Sequence, residues 1–267
     1  MSDIPKPEFF FKGLPEDVRF QAHNVPDSLD LARGTLYEAW FNALKLSPEY
    51  KQGTVTNDWP SERARKTFLT FGDLREVHFE QWWTEKGYRL FAEQRAFSQI
   101  VLANDLEKLS DGVPNITLVV PLNVSLKTLK NQFAVLLEKH HPYYKDFDRW
   151  KASTALVRLE NRKLTSVSIN LYLKVYEACD NRSELGEDSH LYDIGEKLRL
   201  NTQLIVLRTD FPKIARDKRA DMTRMVSEYL VKAKNLIAHA TEGRFPCVDE
   251  HPWLKTSKSS GRLRKKS

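Results

Sequence analysis

Only two cysteines, Cys179 and Cys247, occur in the 267 residues. A disulfide framework is not expected, and a cytoplasmic setting is the default reading. No apolar run approaches the 18 or so residues that span a bilayer, so no membrane partner is expected. The opening MSDIPKPEFFFKGLPED places three phenylalanines among acids and prolines and does not read as a signal peptide. Phosphate loops of the GxxxxGKS/T type, GxGxxG turns, HExxH helices and CxxC pairs are all missing, so no cofactor is expected.

Clustered metal ligands are missing as well. The histidines are scattered apart from His140 and His141, and neighbours on a helix point about 100° apart, which makes that pair a poor chelate. Cys247 and His251, with Asp249 and Glu250 between them, fall short of a four-ligand zinc site. The carboxylates that could be nominated for a nuclease are Asp146, Asp148, Asp249 and Glu250, and their spacing is that of solvated acids. Enzymatic activity has no warrant in the sequence.

What is present is a core. Hydrophobic residues make up 41% and aromatics 11%, the balance of a folded chain long enough for one large domain or two ordinary ones. The net charge of +6 is concentrated at one end. From residue 244 onward there are seven Lys or Arg and two acids, which leaves 35 basic and 34 acidic residues in the first 243. The segment KTSKSSGRLRKKS is too polar to order itself; its Arg262, Arg264, Lys265 and Lys266 can contact phosphates.

Periodicity points to a mainly α fold. Residues 1–28 read as an irregular arm, and residues 30–46 as one amphipathic helix through Leu36, Trp40 and Leu44, stopped by Ser47-Pro48. Residues 51–60 read as a loop and SERARKTFLTF as a turn or two of helix. In FGDLREVHFEQWWTEKGYRLF, residues 71–91, Asp73 and Glu76 have the spacing of a capping box. Gly87 has the place of a left-handed cap, which predicts a helix over 74–86. Aromatics at helical spacing inside caps favour a core over a base-stacking surface. Turn residues at Asp111-Gly112 and Pro114 divide an N-terminal helical region, 1–113, from a second helical region, 114–246, with a basic, unstructured tail over 247–267.

Within the second region, ITLVVPLNV, residues 116–124, is the short β element, at an edge because of Pro121. Ser125 caps a helix that turns Leu126, Leu129, Phe133, Leu136 and Leu137 to the core and Lys127, Lys130 and Lys139 outward. Residues 166–178 fit both a strand and a helix; a helix is favoured because the run continues into polar sequence without a turn. Helices follow at 190–200, briefly at 210–217, and at 219–243, where Gly243 is placed to cap.

YDIGEKLRLN is similar to the first helix of helix-turn-helix modules, where an apolar–glycine pair lets a second helix pack closely. That motif sets the second helix three or four residues on; here a longer insertion, TQLIVLRTDFPKIARDKRA, intervenes. The resemblance implies a reading helix from Arg219, presenting Arg219, Thr223, Arg224, Ser227 and Lys234 to duplex DNA, with Arg at guanine edges and Lys at phosphates. Lys127, Lys130, Lys139 and Lys145 form a second basic set. On LYEAW, FGDL with QWWTEKGYRLF, and AKNLIAHATEGRFP, most of the chain resembles uncharacterised helix-rich proteins of bacterial prophages and integrative elements. This implies a mobile-element setting and carries no activity. The expected function is duplex DNA binding by a regulator or accessory factor, as a monomer or homodimer. The alternative is a helical scaffold or complex subunit, phage-related or defence-related, meeting a protein partner through Trp82 and Trp83.

Overall fold

The three phenylalanines near the start form a strand. In the computed structural model, which describes residues 9–12, 19–93, 116, 118–141, 153–160, 164–181 and 190–254, β1 (Phe9–Lys12) pairs antiparallel with β2 (Arg19–Ala22), Phe11 opposite Phe20. The mainly α fold with a short β element is as expected, but the element lies in the segment read as an arm. The described residues of 116–124 contain no strand. Phe11 is buried under Trp83, with ring centroids 5.7 Å apart, and this burial holds the hairpin where the exposed Val119 and Leu122 have nothing comparable.

The expected helix over 30–46 is two helices, α1 (Val25–Ala32) and α2 (Leu36–Leu46), broken at Gly34 with φ +72°. Thr35 recaps the chain by accepting from the Tyr37 N–H. Ser47-Pro48 both stops and starts. The Ser47 hydroxyl accepts from the Tyr50 N–H at 3.1 Å and Pro48 occupies the first turn of α3 (Pro48–Thr56), so residues 51–56 are helical and not a loop. Gly53 survives inside α3 because the Trp59 ring lies where its Cβ would be. Ser61 then caps α4 (Glu62–Phe71).

The aromatic stretch also departs from expectation. Asp73 makes no capping box; it accepts from the Arg75 N–H and guanidinium. The helix begins later, as α5 (Phe79–Trp82), continues through a π turn (Trp83–Gly87) and ends as α6 (Tyr88–Phe91). Gly87 is helical, φ −57°, and is not a left-handed cap. Its missing Cβ makes room for the Trp82 ring, which would stand 2.5 Å away.

Trp82 and Trp83 are 4% and 0% exposed, and their N–H groups donate to the Phe71 carbonyl at 2.9 Å and the Ser28 hydroxyl at 3.0 Å. A partner surface built on these two rings is therefore ruled out. They are the centre of the core, ringed by Phe11, Tyr37, Phe41, Phe71, Phe79 and Phe91.

Across the expected division at 113, α2 packs on α8 (Ser166–Asp180), and both pack on α10 (Pro212–Thr241). The alternating residues of 166–178 are thus helical, with Ile169, Tyr172 and Leu173 in the main core. Seven consecutive residues of α10, Asn235–Thr241, are buried, so this end of the helix is enclosed on all sides. Trp40 donates to the Ala240 carbonyl at 3.3 Å and stacks on Phe245 with centroids 5.2 Å apart. Gly243, with φ +77°, follows α10 as expected. Residues 246–251, read partly as tail, return along α10, and Cys247 and His251 are buried.

α7 (Leu126–His140) has the expected Ser125 cap, but none of its residues is buried and Leu126 is 68% exposed, so its leucines do not line the core. No helix among the described residues is long and apolar enough to cross a membrane.

Candidate nucleic-acid interface

α9 (Leu191–Lys197) packs on the first half of α10, with Val175 of α8 completing a small second core: Val175, Tyr192, Ile194, Met222 and Val226. Close approach depends on Gly195. A Cβ there would stand 2.6 Å from Met222 Cγ and Sδ, so the apolar–glycine pair Ile194-Gly195 does what the helix-turn-helix resemblance implies. The turn does not. Residues 198–211 separate the helices, containing a 3-10 turn at Thr202–Leu204. Arg199 ends α9 at φ +50°, with the Leu200 N–H bonded back to the Gly195 carbonyl at 3.0 Å.

α10 starts at Pro212, earlier than the expected 219, because proline suits the first turn and the preceding Phe211 is extended. Its outward face then runs Lys213, Arg216, Ala220, Arg224, Ser227, Val231 and Lys234, in steps of three and four, and every member is exposed. From Lys213 to Lys234 that is about 32 Å at 1.5 Å per residue. Among the described residues no salt bridge engages Lys213, Arg216 or Lys234. Arg224 pairs with Asp221 at 2.9 Å while its side chain stays 72% exposed. A surface pair of that kind contributes about 1 kcal/mol at most and opens readily to a phosphate.

The first turn of α10 holds no acid, and cations near a helix N-terminus oppose its dipole. Lys213, in that first turn, thus opposes the dipole of α10.

Of the residues expected to read DNA, Arg224, Ser227 and Lys234 lie on this stripe. Arg219 is turned toward α9, its guanidinium 5.9 Å from the Tyr192 ring centre, and Thr223 is half-buried. Lys213 and Arg216 fall in the brief helix expected over 210–217; because α10 runs unbroken from Pro212, that segment and the helix expected from Arg219 are one, and both residues join the stripe. Lys127, Lys130 and Lys139 are exposed on α7. Lys145, Arg262, Arg264, Lys265 and Lys266 lie outside the described residues, as do Asp146 and Asp148. No family model, curated protein or solved structure matches the chain.

A second polar cluster lies at the far end of α10. His251 donates from Nε2 to Glu242 at 3.1 Å, since its Nδ1 accepts from the Trp253 N–H, and the other Glu242 oxygen accepts from the Ser61 hydroxyl at 2.8 Å. Serine, carboxylate and histidine are in the wrong order for a nucleophile and its base, because the hydroxyl meets the acid and not the imidazole. His239 Nε2 faces the Asp249 carbonyl at 3.0 Å, which makes Nε2 the protonated nitrogen and leaves the buried Nδ1 without a partner. Among the described residues no group of three or more His, Cys, Asp and Glu is placed to hold a metal. The Cys247 thiol lies 3.6 Å from the Asp249 carboxylate, and burial pushes its pKa up.

Burial, with His251 and Arg244 nearby, holds His239 below the ordinary imidazole range, against a smaller opposing effect from the Asp249 carbonyl. Folded His239 stays neutral while the unfolded chain takes up a proton below about pH 6.5. Its contribution is therefore intact above that pH and is lost as pH falls toward the folded value. Urea midpoints should drop between about pH 7.5 and 5.5 in the wild type and less in His239→Gln; equal drops would remove His239 as the cause.

Proposed function

We propose that the protein binds duplex DNA through the exposed cation stripe of α10, carried on the α8–α9 support. The observation that carries this reading is the stripe itself: four outward Lys and Arg over about 32 Å, close to one turn of B-form DNA. Three of them lack an ionic partner among the described residues. The basic tail adds sequence-independent affinity. A cytoplasmic regulator or accessory factor of a bacterial mobile element is part of the same proposal, supported by the motif resemblance. A second reading, a subunit held by a protein partner, draws on residues 116–135, where Val119, Leu122, Leu126 and Val135 are exposed.

Fluorescence anisotropy with labelled duplex DNA, duplex RNA and single strands tests the proposal, using the full chain and a chain ending at Leu254. That end point keeps His251 and Trp253 in place. The shortened chain is expected to retain a duplex DNA preference and a steep loss of affinity with salt. If all binding leaves with the tail, α10 is not the interface and the partner-protein reading takes its place.

A further inference from the structure

The connection from α9 into α10 carries a feature that phosphate contact does not explain. Leu207, Phe211 and Ile214 are 57%, 75% and 46% exposed, three large apolar side chains within eight residues at the entry to α10. Arg208, Lys213 and Arg216, also exposed, alternate with them.

The turn that presents them is held firmly. The Asp210 carboxylate accepts from the Leu207 N–H and from Lys218 Nζ, both at 2.8 Å, and the Asp210 N–H returns to the Leu207 carbonyl at 3.0 Å. Lys218 also donates to the Ile205 carbonyl at 3.3 Å, and the Val206 N–H donates to the Tyr192 hydroxyl at 2.9 Å. Ile205 and Val206 face inward onto the second core. Leu207 and Phe211 are therefore kept in water by a braced turn and not by slack chain. The braces also occupy Asp210, leaving Asp217 as the acid of the first two turns that is not tied to a lysine.

Resting on the duplex-binding reading, we propose that Leu207 and Phe211 form a wedge that enters a base step of the bound duplex, with Ile214 behind them and Arg208, Lys213 and Arg216 on the flanking phosphates. Apolar wedges of Phe, Leu and Ile unstack such steps and bend the helix axis, and pyrimidine–purine steps yield most easily. Charge decides the occupant. Alternating cations around an apolar tip match a polyanion with an apolar interior, while a second copy would set like charges against each other.

The test uses a duplex of about 24 base pairs with a central TATA run and a fluorophore pair at its ends. Wild-type protein is expected to raise end-to-end energy transfer at saturation. Leu207→Ser with Phe211→Ser should abolish that rise and weaken binding about tenfold, since stacking on an aromatic side chain has about that effect. The salt slope should not change, because no cation is removed. Circular dichroism and thermal midpoint should also be unchanged, both side chains being exposed. If the double variant binds and bends the duplex like the wild type, the wedge is wrong and the cation-stripe reading stands. If the wild type binds no duplex, both fall together. A wild-type dimer that the substitutions convert to monomer, with duplex affinity untouched, would assign the tip to self-association and overturn the wedge.

Discussion

Trp83→Ala is expected to destabilise the protein strongly and to lower its urea midpoint far more than Trp83→Phe does. The ring is fully buried, lies within 6.0 Å, centre to centre, of Phe11, Tyr37, Phe79 and Phe91, and donates to the Ser28 hydroxyl. Truncating a tryptophan in such a site costs about 3–5 kcal/mol, because the surrounding rings cannot collapse into the void. Domains have about 5–15 kcal/mol in total, so the loss takes a large share of it. Trp83→Phe keeps an aromatic ring in the site and costs less, losing one hydrogen bond of about 1 kcal/mol and the smaller void left by the rest of the indole. Urea titrations followed by far-ultraviolet circular dichroism separate the two. Similar midpoints for both variants would mean that the cluster is looser than its distances imply.

Charge reversal along α10 has the second large expected effect. Arg216→Glu, Arg224→Glu and Lys234→Glu together should reduce duplex affinity by about a hundredfold or more at low salt. They should also lower the magnitude of the log–log salt slope by about three, one for each phosphate contact removed. Stability should fall only slightly, since all three side chains are exposed and the one pair lost is the surface contact of Arg224 with Asp221. Reversal of Lys127 and Lys130 on α7 is the comparison. An equal loss from the α7 pair would mean that net charge and not the α10 stripe governs binding.

The helices of the core were largely legible as periodicity; their ends were not. Leu36, Trp40 and Leu44 announced α2, and Met222, Val226, Ala233 and Leu236 announced α10, because burial on one face repeats with the helix. Ser47-Pro48 read as a stop since the same two residues suit either side of a boundary; only the Tyr50 N–H bond shows that they open α3. Gly87 read as a left-handed cap because glycine in sequence does not reveal whether backbone angle or a neighbouring ring requires it. ITLVVPLNV has strand composition without the facing strand that would make it one.

The same limit applies to the candidate interface. Arg224, Ser227 and Lys234 came from the helix-turn-helix resemblance, which placed a reading helix from Arg219. Leu207 and Phe211 did not, because a hydrophobic residue in a sequence reads as core until a structure shows it in water.

The enclosed end of α10 bears on how the chain is made. Trp40 binds a carbonyl 200 residues away, and Ser47 and Ser61 meet Thr241 and Glu242 across similar separations. During synthesis the helices around Trp40 and Trp83 emerge long before the segment that closes over them. At about 5–20 residues per second, their aromatic surface stays uncovered for roughly ten seconds or more before α10 can close over it. A ribosome stalled short of α10 would release a chain prone to aggregate.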